Sequence, residues 1–262
     1  MIEKRIEFKN SKGKRLVGVL HVPDAKRKHP AVIICHGFKR TKDQIIPLVL
    51  SRNLSVEGFV VLRFDFSNWG ESEGVYSKMK FTQQIEDVDS AIKYLAKQRF
   101  VDNKRIGLAG LSLGGGVALV SAANNPNKVK TVVAFAPSLD FFNIIRKSFN
   151  KKGQLEGWKR KGYSYMYDQG RDTYWKFDYS FYKDAQAVVK PFDYYDKIQC
   201  PVFIIQGDKD SAVSLADNRK FYHKLRAIKK LFIVPDGDHQ FRKIKSLNSS
   251  IVAATKWFKK YL

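Results

Sequence analysis

Apolar and polar positions along the 262 residues follow two different periods. Uninterrupted apolar runs predict buried strands, and most of these are separated by apolar residues at helical spacing. The predicted strands are 31–35, 59–64, 105–109, 129–137, 201–206 and 231–234, and the predicted helices include 43–57, 81–100 and 244–262. Strands that alternate with helices in this way predict an α/β fold with a mostly parallel sheet.

The chain begins with a different pattern. Residues 2–9 and 14–22 alternate in polarity around the turn residues 10–13, which predicts an initial hairpin. With this hairpin the predicted sheet has eight strands flanked by helices. Because residues 2–9 alternate charged and apolar side chains, they resemble a first strand rather than a signal peptide, so we expect a cytoplasmic protein.

The regular alternation stops after residue 137. Residues 138–196 contain sixteen of the thirty-five aromatic side chains of the protein. We therefore predict that the core domain comprises residues 1–137 and 197–262, and that residues 138–196 form an inserted cap. Within the cap, tyrosines at period two before the turn-like residues 168–171 predict a second hairpin.

The net charge of +23 is unusual, but the 48 Lys and Arg residues are scattered in short groups. Such scatter favours a lysine-rich surface, and we expect no specific nucleic-acid partner. No apolar run approaches the ~20 residues that span a bilayer. Cys35 and Cys200 fall at opposite ends of predicted core strands, so we expect two buried free thiols.

One short motif joins a predicted strand to a predicted helix. Gly110 and Gly114 flank Ser112 at a spacing of two residues, after the strand 105–109 and before a run of small residues. Glycines at these positions allow a turn tight enough to raise a serine hydroxyl above the sheet. The pattern predicts a nucleophile elbow; the alternative is a glycine-rich helix start with a capping serine.

A serine nucleophile needs a base and an acid that orients the base. Of the five histidines, His239 follows the last predicted strand, whereas His21 lies on the second strand, His29 in a surface loop and His223 within a helix. His36, which follows a core strand, is expected to have another role.

The acid is expected in the loop after the strand 201–206. Asp210 is our preferred candidate because its position allows a reach to His239, and Asp208 is the reserve. The backbone N–H groups of Leu113 and Phe38 are predicted to form the oxyanion hole. These residues predict acyl transfer without a metal or a cofactor.

Several stretches together resemble the cinnamoyl and feruloyl esterase group of the α/β-hydrolase fold. These are His36-Gly37-Phe38, Arg63 to Phe66, Gly70 to Gly74, Gly110 to Gly115, Gly207 to Val213 and Gly237 to His239. The resemblance implies a triad of Ser112, Asp210 and His239 and an oxyanion hole formed by Phe38 and Leu113. Members of that group insert a small lid after the sixth strand, where the cap lies here. They usually carry a Gly-His-Gly-like segment where this chain has Asn68-Trp69-Gly70.

These observations favour a serine carboxylic-ester hydrolase acting through an acyl-enzyme on Ser112. The aromatic cap indicates a small-molecule ester with a bulky apolar or aromatic acyl group, although the same aromatics would also serve to pack the cap onto the core. The alternatives are a serine aminopeptidase or amidase of the same fold, and a non-catalytic ligand or polyanion binder. The protein is expected to be a monomer or a homodimer.

Overall fold

The computed structural model describes residues 2–149, 153–168, 171–188 and 194–262. The strands are β1 (Ile2–Lys9), β2 (Arg15–Val22), β3 (His29–Cys35), β4 (Val60–Phe64), β5 (Val101–Leu111), β6 (Val129–Phe135), β7 (Tyr163–Asp168), β8 (Thr173–Asp178), β9 (Val202–Gly207) and β10 (Lys229–Val234). The helices are α1 (Ile45–Val56), α2 (Phe81–Ala96), α3 (Leu113–Asn124), α4 (Phe141–Ser148), α5 (Gln154–Lys161), α6 (Tyr179–Val188), α7 (Leu215–Lys224) and α8 (Ile244–Tyr261).

Eight strands form one sheet in the order β1-β2-β4-β3-β5-β6-β9-β10. β2 runs antiparallel to β1 and β4, and all other pairs are parallel. The central strands are buried on both faces, which explains their continuous apolar sequences. The predicted eight-stranded, mostly parallel sheet is confirmed.

Helices cover both faces of this sheet. α1 and α8 pack on one face through residues such as Leu50 and Phe258, and α2 and α3 pack on the other through residues such as Val88 and Val117. β4 and β5 lie on opposite sides of β3, so the strand order reverses direction at β3. Loops that leave the carboxyl ends of neighbouring strands diverge at such a point and leave a crevice for a ligand.

The residues predicted as the cap contain α4, α5, the two-stranded sheet β7-β8 and α6. β7 and β8 pair antiparallel, as the tyrosine periodicity predicts; Gln169 and Gly170 in the predicted turn lie outside the described residues. Trp158 is buried, and its indole N–H donates to the Phe177 carbonyl oxygen at 3.0 Å.

A carboxylate from the cap holds the start of α2. Lys80 precedes α2 and makes no side-chain capping bond. Asp184 on α6 instead accepts hydrogen bonds from the backbone N–H groups of Phe81, at 2.6 Å, and Thr82, at 3.1 Å. A negative charge at a helix N-terminus is also favoured by the helix dipole. The cap is thus joined to the core by polar contacts as well as by apolar packing.

One histidine assignment was wrong. His29 was expected in a surface loop, but it is the first residue of β3 and is buried. Its Nδ1 lies 2.9 Å from the Gly58 carbonyl oxygen, a long-range contact that local sequence does not reveal. The two cysteines are free and buried, as predicted.

His21 on β2 is fully buried beside charged groups. The Arg63 Nε–H donates to its Nε2 at 3.3 Å, and Glu3 lies 3.9 Å from its Nδ1. Burial lowers the pKa of His21 from 6.5 to about 4; the charge of Glu3 opposes this shift, and the charges of Arg63 and Arg52 add to it. The imidazole is therefore neutral in the folded protein at neutral pH.

This pKa difference predicts that stability falls in mild acid. Between pH 6.5 and 4 the unfolded chain binds a proton at His21 that the folded chain does not, so the free energy of unfolding decreases as pH falls. A shift of this size contributes about 2.5 kcal/mol between about pH 7.5 and 4.5. Urea unfolding at both pH values measures it: His21→Gln should lose less stability than the wild type on acidification. His223→Gln, which changes an exposed histidine, is the control. Identical losses in all three proteins would contradict the assignment.

Candidate active site

Ser112 lies between the end of β5 and the start of α3, at the crevice beside β3. Its backbone has φ 57° and ψ −118°, a conformation that non-glycine residues rarely adopt. The turn is held by backbone bonds, because the Ser112 N–H donates to Phe135 O at 2.9 Å and its carbonyl accepts from the Ser138 N–H at 2.9 Å. The predicted strand–turn–helix geometry is present.

Two glycines allow this turn to pack closely. A Cβ on Gly110 would lie 2.2 Å from the Gly114 carbonyl oxygen, and a Cβ on Gly114 would lie 2.3 Å from the Cys35 carbonyl oxygen. Both neighbours are backbone atoms, which cannot swing aside as a side chain can. The first turn of α3 therefore rests directly against the end of β3.

His239 and Asp210 are in contact, and His239 lines one cavity with Ser112. His239 Nδ1 lies 2.8 Å from Asp210 Oδ2, with the Asp210 side chain fully buried and that of His239 22% exposed. The cavity has a volume of about 180 Å³. It is lined by Gly37, Phe38, Arg40, Gln44, Leu111, Ser112, Ser138, Phe141, Ile144, Ala212, Val213, His239 and Gln240.

The Asp210 carboxylate accepts four hydrogen bonds. Its Oδ1 accepts from the backbone N–H groups of Ala212, at 2.8 Å, and Val213, at 2.9 Å. Its Oδ2 accepts from His239 and from the side-chain amide of Gln206, the latter at 2.8 Å. These four hydrogen bonds fix the orientation of the carboxylate. The reserve candidate, Asp208, is exposed.

Gln206 was not singled out by sequence reasoning. It is fully buried on β9, and its Oε1 accepts a hydrogen bond from the Asn218 side chain on α7. This contact leaves the Gln206 amide N–H free to point toward Asp210. A buried polar residue in an otherwise apolar strand is the one sequence feature that could have identified it.

The predicted oxyanion donors are the backbone N–H groups of Phe38 and Leu113. In the described part of the chain, neither donates a hydrogen bond to another residue. Leu113 opens α3, so its N–H has no partner inside the helix. Phe38 lines the cavity and follows Gly37, whose position is so close to the elbow that a Cβ there would lie 3.7 Å from Ser112 Cβ. Free donors beside a serine can bind an oxyanion.

His36 has the separate role that its position suggested. Its Nδ1–H donates to the Gly37 carbonyl oxygen at 2.9 Å, and its Nε2 accepts from the Phe66 N–H at 3.1 Å. Burial lowers the pKa of His36, and the nearby carboxylate of Asp65 opposes the shift. A neutral, fully bonded imidazole joins the loop after β3 to the loop after β4.

A buried ion pair between Lys42 and Asp65 joins the same two loops at a second point. Lys42 Nζ lies 3.0 Å from Asp65 Oδ2, and the Lys42 backbone N–H donates to Asp65 Oδ1 at 2.7 Å. Burial alone would lower the pKa of Lys42, but its contacts with Glu71 and Asp65 outweigh this and raise it. The loop that carries Phe38 is therefore anchored at both ends.

Aromatic side chains of the cap surround Phe38. Its ring stacks on Phe177, with centroids 5.4 Å apart, and on Phe181, at 6.0 Å, and it meets Phe141 edge-on at 5.4 Å. All three cap residues are buried, and of the cap aromatics that the structure describes only Phe141 lines the cavity. Phe177 and Phe181 thus serve to pack the cap; Phe192 lies outside the described residues.

A larger groove of about 660 Å³ adjoins the cavity and shares Ile144, Ala212 and Val213 with it. Within the described ranges, no group of three or more His, Cys, Asp or Glu residues could hold a metal ion. Nor does any helix in this part of the chain have the length and apolar character to cross a membrane.

The prolyl oligopeptidase family matches residues 72–262, which include Ser112, Asp210 and His239. The chain belongs to the prolyl oligopeptidase family. The protein is therefore a serine hydrolase of the α/β-hydrolase fold, in agreement with the fold predicted from its motifs. Of the five residues predicted to form the triad and the oxyanion hole, only Phe38 lies before the matched range.

This family member is also similar to individual proteins and to a solved structure. The chain is 28% identical to the uncharacterized 31.7 kDa protein in the traX-finO intergenic region of Escherichia coli, covering 92% of this chain and 94% of that protein. It is 33% identical to thiohydrolase aneE of Aspergillus aculeatus over 136 residues, 52% of this chain and 42% of the relative. The structure of Est1E from Butyrivibrio proteoclasticus with ferulic acid bound superposes with a TM-score of 0.85 at 22% identity, covering 98% of each chain.

The packing of the elbow predicts a large effect of one methyl group. Gly114→Ala would bring Cβ to 2.3 Å from the Cys35 carbonyl oxygen, so β3 and α3 must separate. We expect a loss of about 3 kcal/mol or more in the free energy of unfolding, measured in urea.

Gly157→Ala is the matched control, because Gly157 lies in α5 and a Cβ added there would have no atom within 4 Å. It should stabilise the protein by about 0.5–1 kcal/mol through helix propensity. If Gly114→Ala were as stable as the wild type, the described close approach would be incorrect.

Proposed function

We propose that this serine hydrolase is a carboxylic-ester hydrolase that acts through an acyl-enzyme on Ser112. The observation that carries the proposal is the 2.8 Å contact between His239 Nδ1 and Asp210 Oδ2 beside a cavity that Ser112 shares with His239. A buried carboxylate bound to Nδ1–H leaves Nε2 unprotonated and able to act as a base.

In the acylation step, Ser112 Oγ attacks the ester carbonyl carbon and His239 Nε2 accepts the hydroxyl proton. The oxyanion of the tetrahedral intermediate is bound by the N–H groups of Phe38 and Leu113. As the intermediate collapses, the bond to the leaving oxygen breaks and the imidazolium returns the proton to the alcohol. Water then attacks the acyl-serine with His239 as the base, releasing the acid and restoring Ser112.

The acyl group would occupy the 180 Å³ cavity, whose walls include Phe38, Phe141 and Val213. An apolar cavity of about 150 Å³ holds one benzene molecule in another protein, so this volume suits an acyl group with one ring or a short chain. The adjoining groove would receive the alcohol. We propose further that residues 138–196 act as the lid that encloses the acyl group, with Phe141 as its contact.

The central test combines active-site labelling with paired substrates. Wild-type protein should react with a fluorophosphonate probe at one serine and should hydrolyse p-nitrophenyl butyrate. Ser112→Ala should remove the labelling and lower kcat by about a thousandfold or more. Ser121→Ala, which removes a buried hydroxyl further along α3, should retain both. A folded wild type without an adduct on Ser112 would favour a non-catalytic binder.

A second candidate is a serine peptidase or amidase, which the match to the prolyl oligopeptidase family favours. The same triad chemistry cleaves both bonds, and the amine leaving group needs protonation more than an alcohol does. Comparing kcat/KM for p-nitrophenyl esters and aminoacyl p-nitroanilides separates the two. Faster turnover of the anilides would overturn the esterase proposal.

We predict that Gln206 positions the triad acid. Gln206→Met removes one of the donors to Asp210 Oδ2 while retaining a side chain of similar length. The carboxylate is then held less firmly against His239, so kcat for p-nitrophenyl butyrate should fall about five- to tenfold. An unchanged kcat in the folded variant would contradict this role of Gln206.

A further inference from the structure

The charge of the cavity indicates which esters the protein would prefer. This inference about the substrate rests on the proposed function. Of the described residues that line the cavity with Ser112, Arg40 is the only one with a permanent charge, and His239 is the other titratable group. Asp210 contacts His239 but does not line this cavity, and its side chain is buried. The remaining walls are apolar or neutral, so one guanidinium sets the electrostatic potential beside the serine.

Within the described ranges, Arg40 forms a long ion pair with a carboxylate that Lys39 also contacts. Arg40 Nη1 lies 3.9 Å from Asp168 Oδ2, while Lys39 Nζ lies 3.5 Å from the same oxygen. The Trp175 indole N–H also donates to this oxygen, at 3.3 Å. One buried carboxylate thus faces two cations, and the nearer of them is Lys39.

A third cation adds to the excess of positive charge near Asp168. Arg171 lies over the Trp175 ring at 5.7 Å, on the same end of the cap hairpin as Asp168. Burial lowers the pKa of Lys39, the charge of Asp168 opposes this, and the charges of Arg40 and Arg171 add to the lowering. The Arg40 side chain is only 24% exposed, so water compensates its charge incompletely.

The adjoining groove has a different charge. Its lining includes three acidic residues, Asp140, Asp210 and Asp217, against one ammonium group, that of Lys147. An anionic substituent is therefore repelled from the groove and attracted toward Arg40. A planar guanidinium with several N–H donors is also the side chain best suited to bind a carboxylate through two hydrogen bonds.

We propose that Arg40 selects esters that carry a carboxylate, which it binds beside Ser112. The ester bond lies at Ser112 and the apolar part of the substrate contacts Phe38 and Phe141. The carboxylate of the substrate compensates the part of the Arg40 charge that Asp168 leaves uncompensated. This carboxylate belongs to the acyl group if the acyl group occupies the cavity, or to the alcohol if the ester binds in the reverse orientation. The two arms of the test distinguish these sources.

The acyl arm compares mono-p-nitrophenyl adipate with p-nitrophenyl hexanoate, whose chain ends in a methyl group. The alcohol arm compares 4-acetoxybenzoate with its methyl ester, following release of the phenol. In one arm, we expect wild-type kcat/KM to be about tenfold higher for the anionic substrate, equivalent to about 1.4 kcal/mol. In about 0.5 M NaCl that preference should decrease, because salt screens the charge.

Arg40→Gln should lower the ratio of anionic to neutral kcat/KM about tenfold in the same arm, and Arg40→Lys should retain part of it. Lys39→Gln is the matched control: it removes a cation from the same loop and the same carboxylate, but Lys39 does not line the cavity. It should leave most of the ratio intact.

If the wild type hydrolyses neutral esters but shows no anionic preference in either arm, the inference about Arg40 is overturned and the esterase proposal stands. If Lys39→Gln reduces the anionic preference as much as Arg40→Gln does, the preference arises from the general charge of the loop. That result would also overturn the role of Arg40. Failure to label Ser112 and to hydrolyse any ester would overturn the proposed function itself, and with it this inference.

Discussion

The close approach of α3 to the end of β3 is the constraint on which the rest of the site depends. Because Gly114 carries no side chain, the backbone at Cys35 and His36 packs directly against the first turn of α3, and Gly110 allows the end of β5 to approach the same turn. The same approach brings the loop containing Phe38 against Ser112. Backbone packing thus helps to bring Ser112, the proposed nucleophile, close to the N–H groups of Phe38 and Leu113, which is why Gly114→Ala is expected to have a large effect.

The proposed base and acid, His239 and Asp210, are supported in a different way. His239 and Asp210 lie on loops after β10 and β9, and loops are the more mobile parts of a fold. Four hydrogen bonds to the Asp210 carboxylate, one of them from the buried Gln206, offset that mobility. Backbone packing therefore fixes the serine side of the site, and side-chain and backbone hydrogen bonds fix the histidine side.

The cap contributes packing and charge to the same loop. Phe177 and Phe181 stack on the Phe38 ring, while Asp168 attracts Lys39 and Arg40. The loop that carries Phe38 consequently takes its position from both the core and the cap. This arrangement explains how an aromatic-rich insertion can influence the site although few of its rings reach the cavity.

The sequence by itself determined the sheet, the elbow and the residues proposed as the triad, because hydrophobic period and glycine spacing are local properties that the backbone must obey. It also predicted buried free cysteines correctly. Only the tertiary structure decided that His29 is buried, that Gln206 contacts Asp210 and that Arg40 lines the cavity with Ser112. It also decided that, of the cap aromatics described, Phe141 alone lines the cavity. Each of these depends on contacts between residues distant in sequence or on the direction in which a side chain points, and no periodicity records either.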